Sequence, residues 1–252
     1  MNTFIRSTVL ATASALCAFA ASAQTETNGV PESPSFTEAE LLLYACIDSL
    51  PSESYVFTGD IVMRKAYGVE LKRLKFKSTI SWDPLAPSAE YEIYSDKNVL
   101  LETLRAERRG TVQTLTRTVG ADRKPAPAPK LNEPIQGTDV TWLDAMMDFV
   151  WWENPVSFGS ARIKGRNSEI LKVFPSEPIP GCAAVYVWID TEQLSVLQAT
   201  QEDGNGKVTR KMWVDSVQKI DDQWVVKDIE VETGGTGRRT KIHVDDVKKA
   251  AK

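Results

Sequence analysis

The sequence predicts a mostly β protein whose strands run antiparallel. About eleven runs alternate apolar and polar residues with a period of two, and only two segments show helical spacing. Short polar turns separate consecutive runs, so a meander of neighbouring antiparallel strands is the simplest topology.

The N-terminus has the layout of a secretory signal. Arg6 supplies a positive charge, residues 7–19 carry no charge, and Ala-Ser-Ala at 21–23 forms a small-residue cleavage site. The apolar run is shorter than the roughly 20 residues that a membrane-spanning helix needs, which favours a cleaved signal over an uncleaved anchor. We therefore expect cleavage after Ala23 and a location in the periplasm.

The remaining chain is predicted to comprise a flexible lead-in at 24–35 and one domain at 36–252. It holds 29 basic and 34 acidic residues, a formal net charge of −5. Binding of nucleic acid would require a basic excess, so this composition argues against it. An oxidising compartment permits a disulfide between Cys46 and Cys182, and two separate buried thiols are the alternative.

A helix is predicted directly after the lead-in. Thr37 and Glu40 fit a capping box, in which each side chain satisfies a free backbone N–H of the other residue, and Pro51 ends the helix. The residues expected on its apolar side are Leu41, Leu42, Ala45 and Ser49, with Leu43 and Tyr44 widening that side.

The first two predicted strands, 55–64 and 73–82, alternate most clearly. Their apolar faces carry Tyr55, Phe57, Gly59, Ile61 and Met63 on the first strand and Leu74, Phe76, Ser78, Ile80 and Trp82 on the second. The opposite face of the second strand carries Arg73, Lys75 and Lys77. We interpret this basic row as a solvated face, with a docking surface for an acidic partner or anionic lipid headgroups as the alternative.

Further strands continue the same pattern on both sides of a proline-rich break at 120–137. They are predicted at 89–95, 98–108, 111–119, 157–165, 168–174, 183–190, 194–202, 207–219, 223–233 and 239–245. Gly and Asn at 203–206, two aspartates at 221–222 and a glycine-rich run at 234–237 predict hairpin turns. Alanine–proline repeats exclude a helix or a central strand from the break, which we interpret as a long loop.

The segment 138–155 is the least ordinary part of the chain. Thr141 and Asp144 predict a helix start, and Pro155 predicts its end. Apart from a narrow stripe formed by Asp144 and Asp148, its residues are almost all apolar, so the helix has to be buried on more than one side. The residue types alone admit a plug that completes the core or a lid over a wide curved sheet.

The order of elements resembles the LolA-like superfamily of outer-membrane lipoprotein-sorting proteins, in its larger and mostly uncharacterised branch. The residues that carry the resemblance are 57–63, 137–144, 186–190, 194–197, 206–208, 217–224 and 239–242. The resemblance implies an unclosed antiparallel β-barrel, or half-barrel, with an N-terminal helix and an inserted apolar lid helix. It also implies a hydrophobic cavity for the acyl chains of lipoproteins or lipids, and membrane proteins that donate and accept this cargo.

Such a carrier needs no cofactor and no catalytic residue. The residues expected to line its cavity are Phe57, Ile61, Met63, Leu74, Phe76 and Ile80, and those expected in its lid are Trp142, Met146, Phe149, Val150 and Trp151. Two other function classes compete with it: a structural or interaction module of the envelope with a filled core, and a hydrolase. His243 is the only histidine, and it lies in a charged strand without a nucleophile motif, which argues against the hydrolase.

Overall fold

Thirteen antiparallel strands form one sheet in the computed structural model, which describes residues 36–250 except 52, 84 and 221–222. The predicted signal and lead-in, residues 1–35, lie outside the described residues, as does the aspartate turn at 221–222. No helix in the described part of the chain is long and apolar enough to cross a membrane.

The sheet is two meanders joined at their first and last strands. Its strands are β1 (Tyr55–Lys65), β2 (Glu70–Ser81), β3 (Ser88–Ser95), β4 (Leu100–Arg109), β5 (Val112–Val119), β6 (Lys124–Ala126), β7 (Val156–Ile163), β8 (Arg166–Val173), β9 (Ala184–Asp190), β10 (Val196–Glu202), β11 (Val208–Ile220), β12 (Gln223–Thr233) and β13 (Arg238–Lys249). They are ordered β6-β5-β4-β3-β2-β1-β13-β12-β11-β10-β9-β8-β7. Within the described residues β6 and β7 are the two edges and do not pair, so the sheet is not closed and the predicted fold class is confirmed.

Every predicted strand is present, and one strand was not predicted. The addition is β6, which lies inside the proline-rich break and contains Pro125. A proline lacks a backbone N–H and is tolerated at a sheet edge, and β6 is such an edge.

Gly59 sits where β1 and β13 shift their register by one residue. Thr58 lies opposite Asp246, whereas Gly59 lies opposite Val244. A Cβ atom at position 59 would come within 1.9 Å of the carbonyl oxygen of His243 in β13. Only glycine allows the two backbones to approach this closely, so this residue fixes the seam between the meanders.

The N-terminal helix α1 spans Glu38–Asp48 and begins with the predicted capping box. Thr37 N donates to Glu40 Oε2 at 2.7 Å, and Glu40 N donates to Thr37 Oγ1 at 3.2 Å. The predicted apolar side is wrong, however: the helix buries Ala39, Leu43 and Cys46, while Leu41 and Tyr44 are about half exposed. The side of the helix that packs against the protein is centred on Leu43. It is rotated by about one residue from the side that carries the most hydrophobic residues.

Cys46 and Cys182 are both buried free thiols, which decides between the two alternatives for the cysteines. Burial raises the pKa of the Cys46 thiol to about 11 and that of the Cys182 thiol to about 12. Both are therefore uncharged at neutral pH and unreactive in the folded protein.

The core lies on one face of the sheet, which we call the inner face. The apolar alternation predicted for the first two strands is confirmed there, because Tyr55, Phe57 and Ile61 of β1 and Leu74 of β2 are all buried. A main cluster covers most of this face, and a smaller one, around Tyr55 and Phe57, lies toward the start of β1.

Candidate functional site

A single stretch of chain between β6 and β7 lies on the inner face and covers the main cluster. We call residues 130–152 the covering segment. It contains a helix, α2 (Trp142–Met146), followed by a 3₁₀ turn at Asp148–Trp151. Its capping box is confirmed: Thr141 N donates to Asp144 Oδ2 at 2.8 Å, and Asp144 N donates to Thr141 Oγ1 at 3.3 Å.

The prediction of one continuous helix as far as Pro155 is wrong. Met147 adopts a left-handed conformation, with φ 47° and ψ 40°, and separates α2 from the 3₁₀ turn. The side chain of the next residue, Asp148, is bonded to three other side chains. We attribute the break to these contacts, because aromatic and β-branched residues such as Phe149 and Val150 have too little helix propensity to resist them.

The structure brings most of the predicted site residues together. Ile61, Leu74, Trp142, Phe149 and Val150 belong to the main cluster. Phe76, Ile80, Met146 and Trp151 are partly buried and pack against it. Two residues are placed differently: Phe57 belongs to the smaller cluster, and Met63 is buried outside both.

Much of the floor beneath the covering segment comes from strands that the sequence reasoning left out. These floor residues include Tyr91, Ile93, Leu104, Leu171, Val173, Val185, Val187, Ile189, Ala199, Met212 and Val231. Their strands alternate in the same way as the first two, so the signal was present. What was missing was the strand order, which alone shows that β8–β12 present their apolar faces to the same segment.

Three aspartates of the covering segment are held by three arginines of the sheet. Arg108 of β4 pairs with Asp148, Arg210 of β11 pairs with Asp144 at 2.5 Å, and Arg238 of β13 pairs with Asp139 at 3.1 Å. Arg210 also donates to the backbone carbonyl oxygen of Asp139. The polar stripe that the sequence shows is therefore buried against both meanders.

The Asp148 contact is the most enclosed link to the first meander. Its carboxylate accepts hydrogen bonds from Arg108, from Gln113 Nε2 at 2.6 Å and from Trp152 Nε1 at 3.0 Å. The Asp148 and Arg108 side chains are 5% and 9% exposed. The Arg108 guanidinium also lies over the ring of Trp151, 5.7 Å from its centre. Neither charge can be removed alone without leaving the other buried and unpaired.

The covering segment has no backbone-to-backbone hydrogen bond to any strand among the described residues. Its backbone bonds are internal, as from Ile135 N to Val140 O at 2.8 Å and from Leu143 N to Leu131 O at 2.7 Å. Every hydrogen bond between the segment and the described strands involves a side chain, as from Asp139 N to Thr240 Oγ1 at 3.1 Å, so the segment can separate without breaking the strand ladder.

A small void lies between the covering segment and its floor. It has a volume of about 10 Å³, and its lining includes Leu143, Phe149, Ala199 and Met212. This is room for about one water molecule. An acyl chain does not fit beside the covering segment in this arrangement and would have to take its place.

A family model described as an uncharacterized protein matches residues 123–252, slightly more than half of the chain. The chain belongs to that family. No curated protein matches it.

Three solved structures show the fold of this chain. A DUF1329 family protein from Desulfovibrio piger has a TM-score of 0.72 at 16% identity, covering 84% of this chain and 92% of its own. A domain named for outer membrane lipoprotein sorting, from Vibrio parahaemolyticus, has a TM-score of 0.72 at 12% identity, with coverages of 85% and 94%. A LolA superfamily protein from Nitrosomonas europaea has a TM-score of 0.65 at 12% identity, with coverages of 86% and 96%. The fold is therefore LolA-like, as the sequence resemblance implies.

His243 of this LolA-like protein lies in a charged cluster on the second meander. Its Nδ1 atom is 2.6 Å from Asp228 Oδ1, and Ser216 Oγ donates to Asp228 rather than to the histidine. Burial alone would raise the pKa of Asp228, but its hydrogen bonds with Ser216, His243 and Lys241 outweigh burial and lower the pKa to about 2. Ser216 is thus not positioned for activation by His243, which a serine hydrolase using this histidine would need.

The other features singled out in the sequence have structural roles. The glycine-rich run at 234–237 is the turn between β12 and β13, as predicted. In the basic row, Arg73 pairs with Asp60 and with Glu70 at 2.7 Å, and Lys77 pairs with Glu92 at 3.1 Å. The Arg73–Asp60 and Lys77–Glu92 pairs connect β2 to its two neighbouring strands on the face opposite the core, and the Arg73–Glu70 pair lies within β2.

Proposed function

We propose that this protein is a periplasmic, non-catalytic carrier that shelters the acyl chains of lipoproteins or lipids under its covering segment. One observation carries the proposal: an apolar segment whose backbone forms no hydrogen bond to the backbone of any described strand lies over the apolar inner face of an unclosed sheet. A segment built in this way can leave and return as a unit, which a carrier of apolar cargo requires.

Cargo would replace the apolar side chains of the covering segment on the floor. Each buried CH₂ group of an acyl chain contributes about 0.8 kcal/mol, so roughly ten of them stabilise the loaded state by about 8 kcal/mol. Opening also separates three aspartate–arginine pairs, but both charges of each pair then reach water, which costs less than leaving one charge buried alone.

One polar group supports binding of an acyl ester or amide rather than of a plain hydrocarbon. The Trp142 Nε1 atom is buried in the main cluster and has no hydrogen-bond partner in the structure. An unpaired buried donor costs free energy, and a carbonyl oxygen of a bound acyl group would satisfy it. Trp142 belongs to the covering segment, so it can follow the cargo when the segment moves.

The comparisons support the carrier in a general way. Structures that share this fold include a domain named for outer membrane lipoprotein sorting. By this analogy the cargo is an acylated lipoprotein or a lipid, and membrane proteins would deliver and receive it.

A structural or interaction module of the envelope is the second candidate. The small void under the covering segment favours it, because the core is already filled. In that case the segment would be a permanent part of the core, and it would not yield to an acyl chain.

A titration with a fluorescent fatty acid separates the two candidates. The carrier should bind about one probe molecule per chain, and a Trp151→Asp variant should lose this binding, because a carboxylate at the edge of the main cluster opposes entry of an apolar chain. Phe158→Asp is the matched control, since Phe158 is 61% exposed on edge strand β7 and should tolerate the change. Absence of probe binding by the unaltered protein would exclude the carrier.

A further inference from the structure

A groove lies at one end of the β1–β13 seam, outside the apolar floor of the proposed acyl site, and shares with that site only Arg238. It encloses about 420 Å³ and is lined by five basic residues, Arg64, Lys65, Arg238, Arg239 and Lys241. Glu230 and Glu232 are its only acidic lining residues among those described. The whole chain has a formal net charge of −4, so this local excess of positive charge opposes the overall balance.

The strand register places like charges directly opposite each other in this groove. Arg64 of β1 lies opposite Arg239 of β13, and the next position sets Lys65 opposite Arg238. Like charges facing each other across a strand pair destabilise a sheet. A bound anion would remove that repulsion.

Only part of this charge is compensated within the protein. Arg239 pairs with Glu232 at 3.0 Å, and Arg238 reaches the inner face to pair with Asp139. Lys241 pairs with Asp228 at 3.2 Å and with Asp215 at 3.4 Å. Among the described residues, Arg64 and Lys65 form no ion pair. Glu70 lies opposite Arg64 on β2, but its carboxylate is bonded to Arg73, and Arg64 acts on it only through a weaker Coulomb attraction.

An apolar tip projects beside the groove. The turn between β1 and β2 carries Tyr67, which is fully exposed and lines the groove in a left-handed conformation with φ 66°. Val69 and Leu71 follow and are 59% and 47% exposed. A tyrosine rarely adopts a left-handed backbone conformation. Its amphipathic ring is of the kind that prefers the interface between water and a membrane.

We propose that this groove and the tip beside it dock the protein on a membrane through the anionic headgroups of phospholipids. The cations of the groove contact headgroup phosphates, and Tyr67, Val69 and Leu71 enter the interface. Each basic side chain near an anionic surface adds attraction, and an apolar tip adds insertion.

The position in the sheet argues for a membrane rather than an acidic peptide. A peptide that adds a strand needs a free sheet edge. β1 and β13 are both paired on both sides, so the groove offers side chains and no unpaired strand. Exposed apolar side chains beside the cations also match an interface better than a soluble acidic chain.

Vesicle flotation tests the docking surface. The intact protein should float with vesicles of equal parts phosphatidylglycerol and phosphatidylcholine, and not with phosphatidylcholine alone. Replacing both Arg64 and Lys65 by glutamine should weaken binding roughly 30-fold, and Tyr67→Ser should weaken it further. Arg105→Gln with Arg109→Gln, two exposed cations on β4, is the control with the same charge change and should bind as the intact protein does.

The purpose of docking rests on the proposed carrier function, but membrane docking and acyl binding are tested by different variants. The Arg64/Lys65 variant should bind the fluorescent fatty acid in solution as the intact protein does, and Trp151→Asp should still float with anionic vesicles. Equal vesicle binding by the groove variant and the β4 control would overturn the docking surface. So would binding of inorganic phosphate or polyglutamate at the groove without vesicle binding.

Discussion

Asp148 attaches the covering segment to the first meander, so Asp148→Asn measures how firmly the segment is held. Asparagine keeps the size of the side chain and can still accept a hydrogen bond, but it leaves the charge of Arg108 uncompensated. Both side chains are less than one tenth exposed. Breaking such a buried pair costs about 3–5 kcal/mol.

This loss should fall on the covering segment and not on the sheet. The segment has no backbone-to-backbone hydrogen bond to the described strands, so a weaker attachment favours its separation while the strand ladder remains. At about 1.4 kcal/mol for each factor of ten, a loss of 3 kcal/mol raises the open population at least roughly 100-fold.

Hydrogen exchange followed by mass spectrometry reports the open population directly. Amides of residues 141–152 should exchange about 100-fold faster in Asp148→Asn, while amides at the centres of β1 and β13 keep their rates. A double variant, Arg108→Leu with Asp148→Leu, should recover much of the protection, because no charge is left buried alone. If exchange accelerates equally in the segment and in the strands, the covering segment does not open separately from the sheet. If exchange is unchanged, the Asp148–Arg108 ion pair does not hold the segment closed.

Three further predictions concern the fold. Gly59→Ala should lower the free energy of unfolding by more than about 2 kcal/mol in urea titrations, because its methyl group would overlap a β13 carbonyl; Gly204→Ala, where a Cβ meets nothing within 4 Å, should change it little. The pKa of Asp228 is lowered from 3.8 to about 2, so its carboxylate contributes about 2 kcal/mol above pH 3.8, and this contribution is lost as the pH falls through 2. The stability difference between the intact protein and Asp228→Asn should therefore be full at pH 7 and shrink toward pH 2, whereas a constant difference would contradict the assignment. Cys46 and Cys182 should resist a thiol reagent at pH 8 in the folded mature protein and both react after denaturation, and a result of no reactive thiol in denaturant would reveal a disulfide.

The sequence was sufficient to predict the strands, because alternation with a period of two is a local property. The polar turns and the capping boxes at Thr37 and Thr141 were predictable for the same reason. What each element packs against depends on strand order, which no local pattern contains. The exposed leucine of α1, Leu41, illustrates this limit.

The candidate site shows the same division between local and long-range information. The apolar character of the segment around Trp142 indicates burial, but the break at Met147 depends on Asp148 and its distant partner Arg108. The groove at the β1–β13 seam was not predicted either. Arg64 and Arg239 are 175 positions apart in the sequence, and only the pairing of the first strand with the last makes them neighbours.

Native mass spectrometry of the protein recovered from the periplasm without detergent tests the carrier most directly. We expect a polypeptide beginning at residue 24 together with a stoichiometric acyl-containing adduct, which lipid extraction would identify. The adduct should be absent from Trp151→Asp and present in Phe158→Asp. A bare polypeptide mass in every preparation, with no uptake of the fatty-acid probe, would show that the covering segment is a permanent part of the core.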